Sequence, residues 1–597
     1  MKRDAEANNS DSPDKCPKCT AEKEGADQEP ATISPSSTRP DRETQILDRQ
    51  LRLWGNWGQE RLKDAGVGIC DSSATSTQIA KNLILSGAKS VLMMDTAKVR
   101  QSDIGNNFFL EQASLGKTRA EESGKLLEQL TSTFKYHPVY WHDWEFYNED
   151  FWCELEDIDA LADWNAFIGV RMVKADEEVT SRFGWGFNVP TFSVQTCGLV
   201  ASIRLQIREL YVFQTPSDSF VDLRLDCPFP SLSTFANSFE MDKMNNREHA
   251  HVPAVAIIVH YLESFKSKHD GKLPQDSTER AELKEMILAE KRDVDEENFD
   301  EAVNLIGNAC QPTEVPAHIQ ELFDDPYCDK APWFDGSFWL LVKTLREFVK
   351  RDPNHQLPLS GAIPDMKSNT KNYVKMQSIY RQKALEDLQT FKSILDDVKD
   401  SSEPDDDDDD NDNDKTETES GFDHYGPEFQ LSSEMIETFV KNCAHIRLIR
   451  GSKYTNDQPK DLMLKFSKEC EPGNQEFTAN WFLGFQALST YRSANQGEYP
   501  GMRKGQEEHD FNSLSEIALK DLIRRGWDKD EEKVPGKLAK VLKEMVRSSG
   551  SELPHISSIV GGLVSQEVIK MTTGRYVPMN GICIFDGYRS TTGVLEF

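Results

Sequence analysis

The chain has 597 residues, a length that allows about two to four domains of ordinary size. Its formal net charge at pH 7 is −32, which argues against a nucleic-acid partner because phosphate backbones bind basic surfaces. No run of about 18 apolar residues occurs, so we expect no membrane span. The 11 cysteines lack regular spacing and the start lacks a secretory signal, so we expect a cytoplasmic protein, with the nucleus left open.

Two segments are predicted to be disordered because they hold too few apolar residues to form a core. Residues 1–43 are rich in Ser, Pro, Asp, Glu and Lys. Residues 401–421 form an acidic tract, with eleven acidic residues between 401 and 420 against Lys415 alone. We expect the tract to be a solvated loop, and a binding element for a basic partner is the alternative.

Residues 44–218 alternate helical and strand patterns, which is typical of an α/β domain. A helix over 51–65 precedes a strand–turn–helix–strand unit over 66–95. This unit has the outline of a nucleotide-binding element, in which glycines let the backbone pass close to phosphate. Here the turn reads Asp71-Ser72-Ser73-Ala74-Thr75-Ser76, and Asp71 puts a negative charge where phosphates would lie. The turn therefore predicts a nucleotide site that has lost its chemistry.

Residues 219–540 are dominated by helical periodicity, and residues 541–597 return to an α/β pattern. Neither flank has enough strands for a full sheet. The simplest architecture is one α/β domain, made of 44–218 and 541–597, that is interrupted by a large, mainly helical insert.

Several segments together resemble the activating enzymes for ubiquitin-like modifiers, and among them the non-catalytic subunits of the neddylation type. The resemblance covers residues 44–400 and 425–597. The segments that carry it are 47–55 (LDRQLRLWG), 80–87 (AKNLILSG), 105–110 (GNNFFL), 116–120 (GKTRA), 222–230 (DLRLDCPFP), 361–366 (GAIPDM) and 554–570 (PHISSIVGGLVSQEVIK).

The resemblance implies a Rossmann-like adenylation domain of the ThiF type with a helical insert. It also implies a heterodimer, in which the catalytic subunit binds ATP and Mg²⁺, adenylates the modifier and captures it as a thioester. The modifier then passes to a conjugating enzyme. For this chain the resemblance implies a regulatory role, with no cofactor of its own.

Three further positions depart from the pattern of the active members. The second acid after the second strand is replaced by Ala97, and the expected arginine falls on Asn106. The metal-binding aspartate after a later strand is absent from the stretch 167–171 (FIGVR). An ordinary α/β domain that never bound a nucleotide predicts the same departures, and only the flanking segments separate the two interpretations.

No catalytic residue and no metal site are predicted in this chain. The literal match to the thioester motif, Pro17-Lys18-Cys19-Thr20, lies in the predicted tail, and Cys16 with Cys19 gives only half of a zinc site. Four other cysteines have apolar or proline neighbours and are predicted to be core thiols: Cys197, Cys227, Cys310 and Cys443.

Two functional surfaces follow from the resemblance. Arg49, in the segment 47–55, is implied to reach the partner's ATP site in trans, and a surface arginine paired with Asp48 or Glu60 is the alternative. The stretch 338–365 holds more apolar residues than one helix face needs to bury, and its part over 345–358 is implied to contact the catalytic subunit. Core packing is the alternative. The predicted contact residues are Leu345, Arg346, Phe348, Val349 and Lys350.

Three other functions stay open at this point. The chain could be a self-sufficient adenylating enzyme with an unusual loop, or the regulatory subunit of a SUMO-type activating enzyme, although that relative is much shorter. It could also be an interaction protein that uses the acidic tract to hold basic partners.

Overall fold

The structure, a computed structural model, describes residues 42–88, 90–131, 137–139, 164–213, 221–330, 336–400, 431–454, 458–527 and 533–597. The chain divides into two units, residues 1–49 and residues 50–597. Helix α1 (Arg42–Ile46) lies in the first unit, and α2 (Asp48–Asp64) begins there. The tail before residue 42 and the acidic tract fall outside the described residues.

Five parallel strands form one half of the main sheet, and β1 lies at its centre between β4 and β2. The outer pairs are β4 with β5 and β2 with β3. Each strand is short, and β1 is buried along its whole length, as expected for a strand covered on both faces. The strands are β1 (Gly66–Cys70), β2 (Ser90–Met94), β3 (His137–Val139), β4 (Trp164–Val170) and β5 (Thr191–Cys197).

Three antiparallel strands complete this sheet. Strand β6 (Val200–Gln206) turns back along β5, and two strands from the end of the chain, β9 (Gly581–Asp586) and β10 (Thr591–Leu595), extend it. The full order is β10-β9-β6-β5-β4-β1-β2-β3. The sheet is therefore assembled from both ends of the second unit.

Helices from both ends of the chain cover the sheet. They are α3 (Ala74–Ser86), α4 (Arg119–Leu127), α5 (Lys174–Gly186) and α21 (Pro554–Thr573). Helix α21 packs along α3, and both bury apolar side chains against the strands in one core that includes Ile79, Leu83, Val560 and Val564. The two helices touch at Gly561, where an added Cβ would lie 2.7 Å from Gln78 Cβ.

Between these parts the chain is mainly helical, with three further apolar cores. Strands β7 (Leu210–Phe213) and β8 (Ile446–Ile449) form a small antiparallel sheet beside one of them. The helices are α6 (Pro230–Ala236), α7 (Asn246–His249), α8 (Ala254–Lys268), α9 (Ser277–Glu290), α10 (Glu297–Asn304), α11 (Ile306–Ala309), α12 (Ala317–Phe323), α13 (Pro326–Lys330), α14 (Gly336–Arg351), α15 (Thr370–Asp400), α16 (Ser433–Lys441), α17 (Leu462–Cys470), α18 (Thr478–Ala494), α19 (Glu507–Arg524) and α20 (Gly536–Ser548).

The predicted fold class, an α/β domain of Rossmann-like design that a helical region interrupts, is confirmed. Helix α4 ends at Leu127, and Glu128–Leu130 form a 3₁₀ turn directly after it. The exact domain boundaries stay predictions. Among the helices that the structure describes, none has both the length and the apolar content that crossing a bilayer requires.

The contact between α3 and α21 can be tested with substitutions at two neighbouring glycines of α21. Gly561→Ala places a methyl group against Gln78, so we expect the unfolding free energy to fall by about 1 to 3 kcal/mol. A Cβ added at Gly562 would have no neighbouring atom within 4 Å, so Gly562→Ala should stabilise the helix by about 0.5 to 1 kcal/mol. Thermal unfolding of both variants shows whether each substitution lowers or raises the unfolding free energy. Equal changes in the two variants would contradict this packing of α3 on α21.

Candidate functional site

The site predicted from the sequence lies beyond the carboxyl ends of β1 and β4, which pair side by side. The chain continues from β1 to β2 on one side and from β4 to β5 on the other, and α/β proteins bind ligands at such a switch point. Residues that follow β1, β2 and β4 lie at this point. We call it the pseudo-nucleotide pocket and define it by Asp71, Ser73, Asp95, Arg171 and Glu552.

The turn after β1 keeps the backbone shape of a glycine turn without the glycine. Asp71 has a φ of 82°, in the left-handed region that glycine adopts at little cost. Its N–H donates to Met94 O at 2.9 Å, which ties the turn to the end of β2. The next residues are buried, so their side chains occupy the space that a glycine loop leaves open: Ser72, Ser73, Thr75, Ser76 and Thr77.

One buried cluster is built around Arg119, at the start of α4. Its guanidinium pairs with Asp71, and its Nε donates to Asp95 Oδ2 at 2.7 Å. Arg119 Nε also lies 3.2 Å from Ser72 Oγ, and the Ser72 hydroxyl donates to Asp95. A cation of the chain itself therefore pairs with both carboxylates that follow β1 and β2.

The neighbouring charges and the burial of this cluster shift the pKa values of Asp95 and Arg119 in opposite directions. Burial raises the pKa of Asp95, although the Arg119 charge lowers it. Burial lowers the pKa of Arg119, but the charges of Asp71 and Asp95 outweigh that effect and raise it. The arginine therefore stays charged, and the cluster is held by charge-assisted hydrogen bonds, which are stronger than neutral ones.

In a second cluster, the carboxylate of Glu552 accepts hydrogen bonds from the start of α3. Glu552 Oε1 accepts from the Thr75 N–H at 3.2 Å, from Thr75 Oγ1 at 2.6 Å and from Ser73 Oγ at 3.0 Å. Glu552 Oε2 accepts from Arg171 Nη1 at 3.0 Å. The residue is 8% exposed. A helix N-terminus of this kind is the usual phosphate position in nucleotide-binding folds, and here an acidic side chain occupies it.

Arg171 connects this carboxylate to the helical region. It follows β4 with a φ of 58°, and its Nε donates to Tyr499 OH at 3.1 Å. The Tyr499 ring lies between two guanidinium groups, with centroid distances of 5.0 Å to Arg171 and 4.1 Å to Arg492. Arg492 donates to the Arg171 carbonyl at 2.9 Å. Arg171 is the last residue of the stretch 167–171, in which the sequence shows no aspartate.

The other predicted departures have plain structural roles. The Ala97 N–H donates to Asp95 Oδ1 at 2.8 Å. Asn106 is exposed, and its side chain donates to Ser102 O at 3.3 Å. The adjacent Asn107 is buried and accepts from Thr77 Oγ1 at 3.0 Å. None of these contacts adds a group that would bind phosphate or metal.

Arg49 lies in the first turn of α2, in the unit of residues 1–49, and it is exposed. Its role in a partner's ATP site stays a prediction.

The predicted contact residues of α14 differ in their exposure. Leu345 and Phe348 are 1% and 5% exposed and belong to a core of this chain, which favours the core-packing alternative for them, and their contact with a partner stays a prediction. Arg346 donates to Phe323 O at 2.9 Å and pairs with Asp329 at 2.6 Å. Val349 is half-buried and Lys350 is exposed. Contact with a partner stays a prediction for Arg346, Val349 and Lys350.

Three of the four predicted core thiols are buried, namely Cys197, Cys310 and Cys443, whereas Cys227 is half-buried. Burial raises the pKa of Cys197 to about 11 and that of Cys443 to about 12. Such thiols are poor nucleophiles at neutral pH because the thiolate is the reactive form. Cys16 and Cys19 lie outside the described residues. Within the described ranges, no group of three or more His, Cys, Asp or Glu side chains could hold a metal ion.

Sequence reasoning missed the partners that fill the pocket. Arg119 and Arg171 stand in the segments 116–120 and 167–171, but nothing there indicated that they pair with Asp71 and Glu552. A usable signal was the charge of Asp71 and Asp95, because two acids at neighbouring strand ends require a cation. Glu552 offered no such signal, since it lies 479 residues from Ser73 in the chain.

The Arg119 cluster predicts a pH-dependent loss of stability. Arg119→Met leaves two nearly buried carboxylates without a cation, and we expect a loss of about 3 to 5 kcal/mol at about pH 8. Without Arg119 the pKa of Asp95, already raised by burial, rises further, so the deficit should shrink as the pH falls toward the ordinary carboxyl value of 3.8.

Thermal unfolding across this pH range measures the Arg119 effect. Lys125→Met is the control, because Lys125 forms ion pairs at the surface and its loss should change stability little at any pH. A deficit in Arg119→Met that does not vary with pH would contradict the cluster.

Comparisons with known proteins were made by family model, by sequence and by structure. No family model matches the chain. The NEDD8-activating enzyme E1 regulatory subunit of Xenopus laevis is 29% identical over 567 residues, which is 92% of this chain and 98% of that protein. The regulatory subunit AXR1 of Arabidopsis thaliana is 27% identical over 96% of this chain and 98% of that protein, and the Drosophila melanogaster protein of the same description is 29% identical over 94% and 99%.

Solved structures match only parts of the chain. A crystal structure of Escherichia coli MccB with AMPCPP and MccA covers 28% of this chain and 49% of that chain, at 13% identity and a TM-score of 0.24. A structure of PaaA covers 30% and 55%, at 17% identity and a TM-score of 0.24. These scores are too low to support an argument. The sequence matches extend over nearly the whole chain, and by them the chain is a homologue of the regulatory subunits of NEDD8-activating enzymes.

Proposed function

We propose that this chain is the non-catalytic subunit of a heterodimeric NEDD8-activating enzyme. In this proposal the catalytic subunit binds ATP and Mg²⁺, adenylates the modifier and carries the thioester cysteine. The present chain supplies the second half of the dimer and helps to form the surface for the modifier and the conjugating enzyme. The names of the homologues support this role over the SUMO-type alternative.

The observation that carries the proposal is the filled pseudo-nucleotide pocket. Adenylation requires space for a triphosphate and cations to stabilise the leaving pyrophosphate. In this chain the start of α3 is bonded to Glu552, and Arg119 and Arg171 are already paired with carboxylates. Binding ATP would require both clusters to open and would bring the phosphates close to Asp71 and Glu552.

We therefore expect the purified chain alone to show no ATP–pyrophosphate exchange in the presence of a ubiquitin-like modifier. The isolated catalytic subunit and the reconstituted pair, assayed in parallel, are the comparison. Exchange by the chain alone would contradict the proposal and favour the self-sufficient enzyme.

Arg49 supplies a second test on the reconstituted pair. If its guanidinium contacts phosphate in the partner, Arg49→Ala should lower the rate of adenylation at least about tenfold, since an arginine in trans contributes strongly to phosphate chemistry. Arg52→Ala is the control, because Arg52 is also an exposed arginine of α2. Equal rates for both variants and the wild type would remove this role and leave the surface-arginine alternative.

Lys350 is the sharpest probe of the interface. Arg346 also contacts Phe323 and Asp329, so its replacement would disturb the fold, whereas Lys350 is exposed and pairs with Glu347 on the same helix. Lys350→Glu should weaken co-purification with the catalytic subunit. Lys284→Glu, on the exposed side of α9, is the matched charge reversal. If Lys350→Glu and Lys284→Glu assemble equally well, the interface on α14 is not supported.

A further inference from the structure

The segment between α20 and α21 inserts one carboxylate into the pseudo-nucleotide pocket. Gly198 N donates to Ser551 O at 2.9 Å, and a β-bridge joins Gly198 to Glu552. The backbone is thus fixed on both sides of the point where the Glu552 side chain turns inward. This attachment leaves the carboxylate little freedom to move away from the start of α3.

The donors around Glu552 form the set that a phosphate oxygen would find in a nucleotide-binding fold. A backbone N–H and two hydroxyls come from the first turn of α3, and a guanidinium comes from the end of β4. All four contacts are between 2.6 and 3.2 Å long. Such a set favours an anion through the helix dipole and through the arginine charge.

The same carboxylate joins regions that are distant in the chain. Ser73 and Thr75 belong to the first strand–helix unit, and Arg171 follows β4 and reaches Tyr499 in the helical region. Glu552 itself precedes the last helix of the sheet domain. An anion at this point therefore stabilises the contact between the sheet and the helical region.

We infer that Glu552 is an intramolecular anion that replaces a nucleotide phosphate, and that its removal uncovers a site for inorganic phosphate. The carboxylate satisfies the helix and the arginine without a ligand. When the Glu552 carboxylate is removed, its four donors remain without that acceptor. A small oxyanion can then occupy the position that the carboxylate held.

The experiment compares thermal unfolding of the full-length wild type and Glu552→Ala as inorganic phosphate replaces chloride at constant ionic strength. The variant should unfold at a lower temperature than the wild type. Phosphate should then raise its unfolding temperature, with a gain that grows with the logarithm of the phosphate concentration above the dissociation constant, because a ligand that binds only the folded state stabilises it. The wild type should show no such gain.

Glu469→Ala is the matched control for this anion. Glu469 is also buried and also accepts from the start of a helix, but its partners are the N–H groups of Ala479 and Asn480 and the Asn480 amide. The same gain from phosphate in Glu469→Ala, or in the wild type, is a general salt effect and would overturn the inference. The absence of a phosphate gain in folded Glu552→Ala would also overturn it.

Glu552→Gln decides the question if Glu552→Ala does not fold. The amide keeps the shape of the side chain and loses its charge, so the unfolding temperature should fall, and phosphate should restore little because the space is occupied. Glu552→Gln that is as stable as the wild type would overturn the inference. These unfolding experiments are independent of the test of the proposed function. That test measures ATP–pyrophosphate exchange by the wild type, and its outcome does not depend on how phosphate affects the Glu552 variants.

Discussion

A carboxylate at the start of a buried helix must find donors and a positive charge, or its burial costs several kcal/mol. Glu552 finds both, in the first turn of α3 and in Arg171. Much of the pocket's arrangement is consistent with that requirement. Arg171 adopts a positive φ beside the carboxylate, and Tyr499 packs between Arg171 and Arg492.

The pseudo-nucleotide pocket is therefore not a degraded site with missing groups. Two arginines pair with three acids inside the chain at this position. Under the proposed function, these pairs explain how the scaffold around an ATP site can persist without ATP. The helix N-terminus and the strand ends keep charged partners, but those partners are covalently part of the protein.

The sequence predicted the parts that depend on local pattern. Strands β1 and β2, helix α3 between them and helix α21 follow from short-range periodicity, and Asp71 already indicated a pocket hostile to phosphate. The pairing of Glu552 with Ser73 is set by tertiary structure across nearly the whole chain, so no window of sequence contains it. Leu345 and Phe348 illustrate another limit, because an apolar helix face reads the same whether it packs inside its own chain or against a partner.

The order of the strands has a consequence for how this protein is made. Strand β6 pairs with β9, so the edge of β6 has no neighbour until the ribosome has added the residues beyond 580. An unpaired strand edge can associate with other chains, and contacts between distant segments form slowly. During synthesis the first strands of the sheet are complete before the last strands exist, and in this interval the free edge of β6 is open to association with other chains.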